Sequence, residues 1–292
     1  MPQKLNAAWV WQQLAPRAPE SNKGSYGRLL LAAGSTVYRG AAVLAAEAAA
    51  RTGAGIVTLA SVEPVLAAAV VRVPECCLLP CPADGDGGIA AGAAWTLREK
   101  ANAGTALALG PGLGDTPGTR RLVEVLVRQA RVPVLLDADG LNAAARMEAL
   151  PRPACGAPLV ITPHPGEMAR LTGRSIGEIQ AAREQTAAAY ARDNGCVVVL
   201  KGHRTLIAAP DGTMYENTTG NAGMARGGSG DVLTGMIGAL LAQGLPAPEA
   251  AACGVWLHGA AGDGAAARLG QTGMLPHDLF AELGRLFAEN GR

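Results

Sequence analysis

The feature that most constrains the fold is a repeated unit: a short unbroken apolar run, a glycine- or proline-bearing break, then a helical pattern. Arg28 to Ala33, Ile56 to Ala60, Ala106 to Leu109, Val134 to Asp137, Leu159 to Thr162 and Val197 to Leu200 are such runs. They lack the apolar–polar alternation of a half-solvated strand, as expected for strands covered on both faces. Helical patterns fall near Gly40 to Thr52, Thr119 to Ala130, Leu141 to Met147, Glu167 to Thr172 and Glu178 to Asn194. In the first of these Glu47 and Arg51 stand four residues apart and Gly53 fits a helix stop. Such alternation predicts an α/β fold with a central, mostly parallel sheet flanked by helices on both faces. After Lys201 the rhythm changes. Thr205 to Ala209 and Thr213 to Glu216, joined by Pro210-Asp211-Gly212, read as a hairpin, so the sheet is expected to carry an antiparallel edge. Helices near Glu249 to Arg268 and Pro276 to Glu289 complete the pattern. Residues 23–292 are expected to form a single domain, with Pro80 to Gly92 as a surface loop. Residues 1–22 are expected to be a lead-in with one helix near Ala7 to Leu14.

The breaks carry the functional signal. They are Ala33-Gly34-Ser35, Leu109 to Gly114, Asp137-Ala138-Asp139-Gly140, Thr162-Pro163-His164-Pro165-Gly166-Glu167 and Leu200-Lys201-Gly202. In a parallel sheet all of them lie along the carboxyl edge, where open α/β folds bind ligands. A further loop, Gly227-Gly228-Ser229-Gly230-Asp231, runs into an apolar helix marked by Val232, Leu233, Met236, Ile237, Leu240 and Leu241. Unpaired amides and the macrodipole at a helix N-terminus favour anions, so Gly228, Ser229 and Gly230 read as an anion cradle. Taken alone, Asp231 is a helix cap or a catalytic acid; five other loops on the same rim favour the acid.

Other residues are weighed on the same footing. His164, fixed between two prolines, caps the next helix or touches substrate, and its place on the rim favours substrate. Lys201 is a solvated strand-end lysine or a phosphate-facing one. Asp137 and Asp139 hold Mg²⁺ through water or cap the helix that follows. His258, inside an apolar helix, reads as a core histidine. There is no GxxxxGK[ST] motif, and the third glycine of Gly110-Pro111-Gly112-Leu113-Gly114 is misplaced for a dinucleotide fingerprint, which argues against P-loop and Rossmann proteins. No Ser/His/Asp triad or zinc spacing is present.

A net charge of +1 and 3% aromatic residues argue against nucleic-acid binding. The six cysteines form no CxxC pair, which suits buried thiols in a reducing compartment. The start of the chain lacks a signal-peptide pattern, and Glu47, His258 and Asp263 interrupt the alanine-rich runs. No membrane partner and a cytoplasmic location are expected.

Several of these stretches together resemble the ADP- or ATP-dependent NAD(P)H-hydrate dehydratases, ribokinase-like enzymes that repair damaged nicotinamide cofactors. The resemblance rests on Lys23-Gly24-Ser25-Tyr26-Gly27, Arg39-Gly40-Ala41-Ala42, Gly110 to Gly114, Leu136 to Asn142, Thr162 to Glu167, Val199 to Gly202, and Asn217 to Asn221 leading to Gly227 to Asp231. It implies that Ala41, Gly112, His164 and Asp231 contact the hydrated dinucleotide. It also implies that Lys201, Gly202, His203, Arg204, Thr205 and Gly230 hold the adenine nucleotide. The implied reaction phosphorylates the ring hydroxyl of the S-epimer of hydrated NADH or NADPH, then eliminates phosphate, with ADP or alternatively ATP as donor. Asp231, kept ionised by the helix terminus, is expected to take the hydroxyl proton. Mg²⁺ is expected to be held mainly by water and the nucleotide, and the assembly is expected to be a homotetramer. Some relatives carry an epimerase domain ahead of this one, for which the lead-in is expected to leave no room. The rival readings are a ribokinase-like kinase of a vitamin or sugar alcohol and a nucleotide-sensing binding protein without chemistry.

Overall fold

A computed structural model describes all 292 residues. Along the chain run β1 (Gln3–Lys4), α1 (Ala7–Gln13), β2 (Arg28–Ala32), α2 (Arg39–Arg51), β3 (Ile56–Ser61), α3 (Glu63–Arg72) and β4 (Cys77–Pro80). Then come α4 (Ala94–Asn102), β5 (Ala106–Leu109), α5 (Pro117–Gln129), β6 (Val134–Leu136), α6 (Asp139–Ala144), β7 (Leu159–Ile161), α7 (Pro165–Thr172), α8 (Ile176–Ala181) and α9 (Arg183–Asn194). The chain closes with β8 (Val197–Leu200), β9 (Leu206–Ala208), β10 (Met214–Glu216), α10 (Ser229–Ala242), α11 (Ala247–Gly273) and α12 (Leu279–Glu289).

The strands form one sheet in the order β1-β10-β9-β8-β7-β6-β5-β2-β3-β4. Only the pairings of β9 with β8 and with β10 are antiparallel, so the expected hairpin edge is present. From β2 the chain winds outward to β3 and β4, then returns to the other side of β2 with β5 and continues to β8. The sheet therefore reverses direction between β2 and β5, where open α/β folds form a ligand crevice. Leu31, Ala108, Leu135, Val160 and Val198 on the central strands are completely buried, as unbroken apolar runs demand. Helices α2, α3, α10, α11 and α12 pack together on one face, and α4 to α9 form the layer on the other.

Helix α10 is pressed between α2 and the sheet. A Cβ at Gly235 would lie 2.1 Å from the Ala45 carbonyl of α2, and one at Gly238 would lie 3.3 Å from Leu29 and Ala108. These two glycines let the helix sit directly over the β2/β5 switch, which brings its N-terminus to the rim.

Some elements depart from expectation. The polar dipeptide Gln3-Lys4 forms β1 by pairing parallel to β10, so the first residues join the sheet edge. The half-exposed β4 includes Pro80, tolerable because β4 is an edge strand. Helices α3 and α4 were not anticipated, since their Ala/Val-rich or mixed sequences carry weak periodicity. The expected helix Glu178–Asn194 is broken at Ala182 (φ −137°, ψ 44°), where no glycine or proline signals the break. Helix α6 begins and ends earlier than expected, and α11 runs on to Gly273 with a non-helical Gly270 (φ 72°) near its end. No helix is long and apolar enough to cross a membrane.

Candidate active site

Asp137, one residue beyond β6, is 1% exposed and is the anchor of the rim. Its Oδ1 accepts from Lys201 Nζ and from Thr162 Oγ1, each at 2.7 Å, and its Oδ2 accepts from Thr234 Oγ1 at 2.7 Å. Three strand ends and α10 are thus tied to a single carboxylate. Burial alone would raise its pKa, but the Lys201 ammonium and the three donors hold it below the ordinary value. Asp137 therefore does not cap the helix that follows, whose start has no side-chain cap. The turn after it is strained: Ala138 has φ 48°, a conformation that costs a non-glycine residue about 1–3 kcal/mol. That turn sends Asp139 back across the rim, where its Oδ2 accepts from the Gly114 amide at 2.8 Å and its Oδ1 from Asn142 Nδ2 at 3.2 Å.

Lys201 is mostly covered, and its Nζ also lies 3.7 Å from Glu167 Oε2. Burial disfavours its charge, yet Asp137 and Glu167 outweigh that and raise its pKa. It is a paired, inward-facing ammonium at the end of β8, so the solvated alternative fails. A Cβ on Gly230 would lie 3.5 Å from Lys201 Nζ and 3.7 Å from Asp137 Oδ2, which puts the start of α10 directly against this pair.

Asp231 occupies the first turn of α10. Burial and then the charge of Asp137 raise its pKa to about 6, with Lys201 opposing and Asp139 adding to the rise. Asp231 was expected to be kept ionised by the helix terminus; loss of solvent and two neighbouring carboxylates act against that terminus. Its carboxyl group has no hydrogen-bonding partner in the chain. The cradle also needs correction. The Ser229 amide donates to the Arg226 carbonyl at 3.3 Å, and the Ser229 hydroxyl faces His258 Nε2 at 3.4 Å. The free amides are those of Gly228, Gly230 and Asp231. His258 lies in the core as expected, but it backs this loop, and burial lowers its pKa to about 4.

His164 does cap α7. Its Nδ1 accepts from the Gly166 amide at 2.9 Å and the Glu167 amide at 3.3 Å, while Glu167 Oε2 accepts from the His164 amide at 2.7 Å. Two amide donors on Nδ1 leave the ring proton on Nε2. Burial, then Lys201 and Arg170, lower the pKa and keep the ring neutral, although about half of the side chain is exposed. His164 therefore serves as the cap, and its Nε2 lies 3.5 Å from Glu167 Oε1.

Ala41, in the first turn of α2, meets Gly112. A Cβ on Gly112 would stand 3.1 Å from the Ala41 methyl and 2.7 Å from Tyr38 Cβ, and the φ of 64° at Gly112 suits glycine. On the far side, Gly202, His203 and Arg204 are exposed, and Thr205 Oγ1 donates to the Gly202 carbonyl at 3.0 Å. Arg204 is occupied by Glu216, at 2.6 and 2.9 Å. Arg183 supports the loop from below by donating to the carbonyls of Leu200 and Lys201, at 3.1 and 3.4 Å. Thr162, Thr234, Glu167 and Arg183 had not been singled out for the site. Thr234, a completely buried hydroxyl in an otherwise apolar helix, was the signal available in the sequence.

The rim thus combines a loop with exposed backbone, a buried ammonium, free helix-terminal amides and an unengaged acid with a raised pKa. Comparisons with known proteins identify the relatives of the chain. The sequence model of the NAD(P)H-hydrate dehydratase family covers residues 29–285. The chain is 46% identical over 275 residues to the bifunctional NAD(P)H-hydrate repair enzyme Nnr of Moorella thermoacetica, covering 94% of this chain but 52% of that protein. It thus spans about half the length of the bifunctional relatives it matches. To the ADP-dependent (S)-NAD(P)H-hydrate dehydratase of Xanthomonas campestris it is 36% identical, covering 96% of this chain and 94% of the relative. The crystal structure of the ADP/ATP-dependent NAD(P)H-hydrate dehydratase from Bacillus subtilis, co-crystallised with ATP/Mg²⁺, superposes with a TM-score of 0.86 at 35% identity over 99% of both chains. A ribokinase-like superfamily protein from Enterococcus faecalis follows with a TM-score of 0.84 at 26% identity, covering 99% of this chain and 96% of that one.

Proposed function

The chain belongs to the NAD(P)H-hydrate dehydratase family and has its ribokinase-like fold, and on that premise we propose that it is a lyase restoring hydrated NADH or NADPH, S-epimer, at the expense of ADP or ATP. The observation that carries this reading is Asp231: an acid with no partner, a pKa of about 6, and free amides beside it. A base with a pKa near the working pH is well placed to take the hydroxyl proton as the ring oxygen attacks the terminal phosphoryl group. The Gly228, Gly230 and Asp231 amides and the Lys201 ammonium stabilise charge on that phosphoryl as it transfers. Phosphate then leaves the ring carbon with the C–O bonding pair, and the neighbouring carbon loses a proton to re-form the double bond.

The other assignments follow the rim. Ala41 and Gly112 line the nicotinamide side, where His164 offers its Nε2–H to the substrate. Lys201, Gly202, His203, Arg204, Thr205 and Gly230 bound the adenine nucleotide. Arg204 contributes backbone, since Glu216 holds its side chain. No three His, Cys, Asp or Glu side chains converge as a direct ligand set. The chemistry of this rim fits Mg²⁺ carried on nucleotide phosphates and water, with Asp231 as the nearest unengaged acid. When bound, the ion would neutralise phosphate charge. A homotetramer, as the resemblance implies, completes the proposal, with the cytoplasm as the location expected from composition.

The rival is a kinase that stops after phosphoryl transfer. Phosphorus NMR of a reaction with hydrated NADH, ADP and Mg²⁺ separates the two. Free phosphate and AMP appearing in step support the dehydratase; an accumulating phosphate monoester on the substrate would sink it.

A further inference from the structure

A cavity of about 270 Å³ opens at the edge of the sheet opposite the rim. Tyr26 and Gly53, which line it, stand just before β2 and β3, and Leu240 and Gln243 bring in the C-terminal end of α10. We propose that this cavity is a regulatory site for a small organic anion, a single apolar ring carrying a carboxylate, and that α2 and α10 relay its occupancy to the rim. None of the residues assigned to substrate or nucleotide lines it. The site itself does not depend on the dehydratase reading; the relay does.

Charge is the first argument. Arg17, Arg51 and Arg292 line the cavity, and no acid does. Arg17 lies over the Tyr26 ring, 4.0 Å from its centre, and donates to the Gly53 carbonyl through Nη2 at 2.7 Å, which leaves Nε and Nη1 free. Arg51 is held through Nε by Glu47 at 2.8 Å, and its two terminal nitrogens have no partner. Glu47 is shared with Arg72, so it does not neutralise this wall. Arg292 spends its nitrogens on the carbonyls of Leu14, Trp11 and Asn290, which remove no charge. Fixed cations with open donors and no acid opposite suit an anion, and the free end of a guanidinium matches the two oxygens of a carboxylate. Leu14, Leu240, Leu245 and Phe287 make the rest of the wall apolar. The volume falls just under the range of about 300–1,000 Å³ usual for ligand sites, which fits one ring and its acid.

Position is the second argument. Helix α2 carries Ala41 in its first turn and Arg51 at its end, and α10 carries Asp231 in its first turn and reaches Gln243 at its end. At about 1.5 Å per residue each helix spans roughly 20 Å, from the rim to this cavity. The contact of Gly235 with the Ala45 carbonyl leaves no slack between them. At the cavity, Gln243 Nε2 ties the two helix ends by donating to the Thr52 carbonyl at 3.1 Å. A ligand seated against both ends displaces one helix relative to the other, and their far ends hold the proposed substrate contact and base.

The test is calorimetry with 3-phenylpropionate as the probe. Its controls are 3-phenylpropanamide, which keeps the ring without the charge, and inorganic phosphate, which keeps charge without the ring. The carboxylate should bind about tenfold or more tighter than either control, and Arg17→Ala and Arg51→Met should each weaken it about tenfold, the loss of one charge-assisted pair. Ala15→Trp keeps every charge and fills the cavity from an exposed position, and should abolish binding. ADP titrated with and without saturating 3-phenylpropionate should show affinities that differ about fivefold or more, and the difference should vanish in Ala15→Trp. Probe binding that is absent, matched by inorganic phosphate, or undiminished in all three variants would overturn the site. An ADP affinity indifferent to the bound probe would overturn the relay. A protein that binds the probe but no ADP would count against the dehydratase reading and the relay together, and leave the site standing.

Discussion

At Asp231, burial and two carboxylate neighbours raise the pKa to about 6, and this has consequences for rate and for stability. The base form must be ionised, so turnover should rise with pH through about 6, and Asp231→Asn should lose about 10²–10⁴ in kcat. The stability sign is opposite. Because the folded protein binds this proton more tightly than the unfolded chain, the ionised group is a penalty that is full above pH 6 and vanishes as pH falls toward 4. Asp231→Asn should therefore be more stable than the wild type at pH 8, by about 1–3 kcal/mol, and denaturation at pH 8 and pH 4.5 should show the gap closing. His164 invites a different measurement. Nitrogen NMR, with the signal identified among the four histidines by the variant His164→Gln, should find a neutral, Nε2-protonated ring at pH 7. His164→Gln, which keeps a donor near that point, should retain more activity than His164→Ala; equal losses would remove the donor role.

Between elements, the Asp137 carboxylate and the α2–α10 contact decide whether the rim is assembled. Asp137→Ala leaves the Lys201 ammonium covered and without its closest partner, a change that typically costs about 3–5 kcal/mol; urea denaturation should show it, while Thr234→Val should cost less. Gly235→Ala drives a methyl into the Ala45 carbonyl and should cost about 1–3 kcal/mol of overpacking. An unchanged midpoint in Gly235→Ala would mean that α10 does not sit as tightly as described. Strands β2, β3 and β5 to β8 were legible because each is a continuous apolar run, and the rim because five of those runs end in a break that carries glycine or proline. The elements that escaped have physical reasons. The pairing of Gln3-Lys4 depends on a partner more than two hundred residues away, and α8 and α9 part at an ordinary alanine. At the site, composition and spacing located Asp231, Lys201 and His164, but not the pKa of Asp231 or the pairing of Lys201 with Asp137. Those depend on which side chains folding buries together, information that spacing does not carry.

For the whole molecule, the sheet reverses between β2 and β5, and in the proposed assignment donor and acceptor share one edge, with the loop after β8 taking the nucleotide and α10 closing over the middle. A chain organised in this way places a phosphoryl donor, a hydroxyl and a base in one crevice, which is how positioning supplies most of the catalysis in phosphoryl transfer. Kinases need no more than that, so the fold alone leaves the product open, and the proposal of elimination rests on membership of the dehydratase family. The most direct measurement is recovery of the reduced-nicotinamide absorbance from hydrated NADH, with Mg²⁺ and either ADP, ATP or no nucleotide. The proposed chemistry predicts recovery that requires nucleotide and is largely lost in Asp231→Asn. Absence of recovery with both nucleotides, or recovery undiminished in Asp231→Asn, would contradict it.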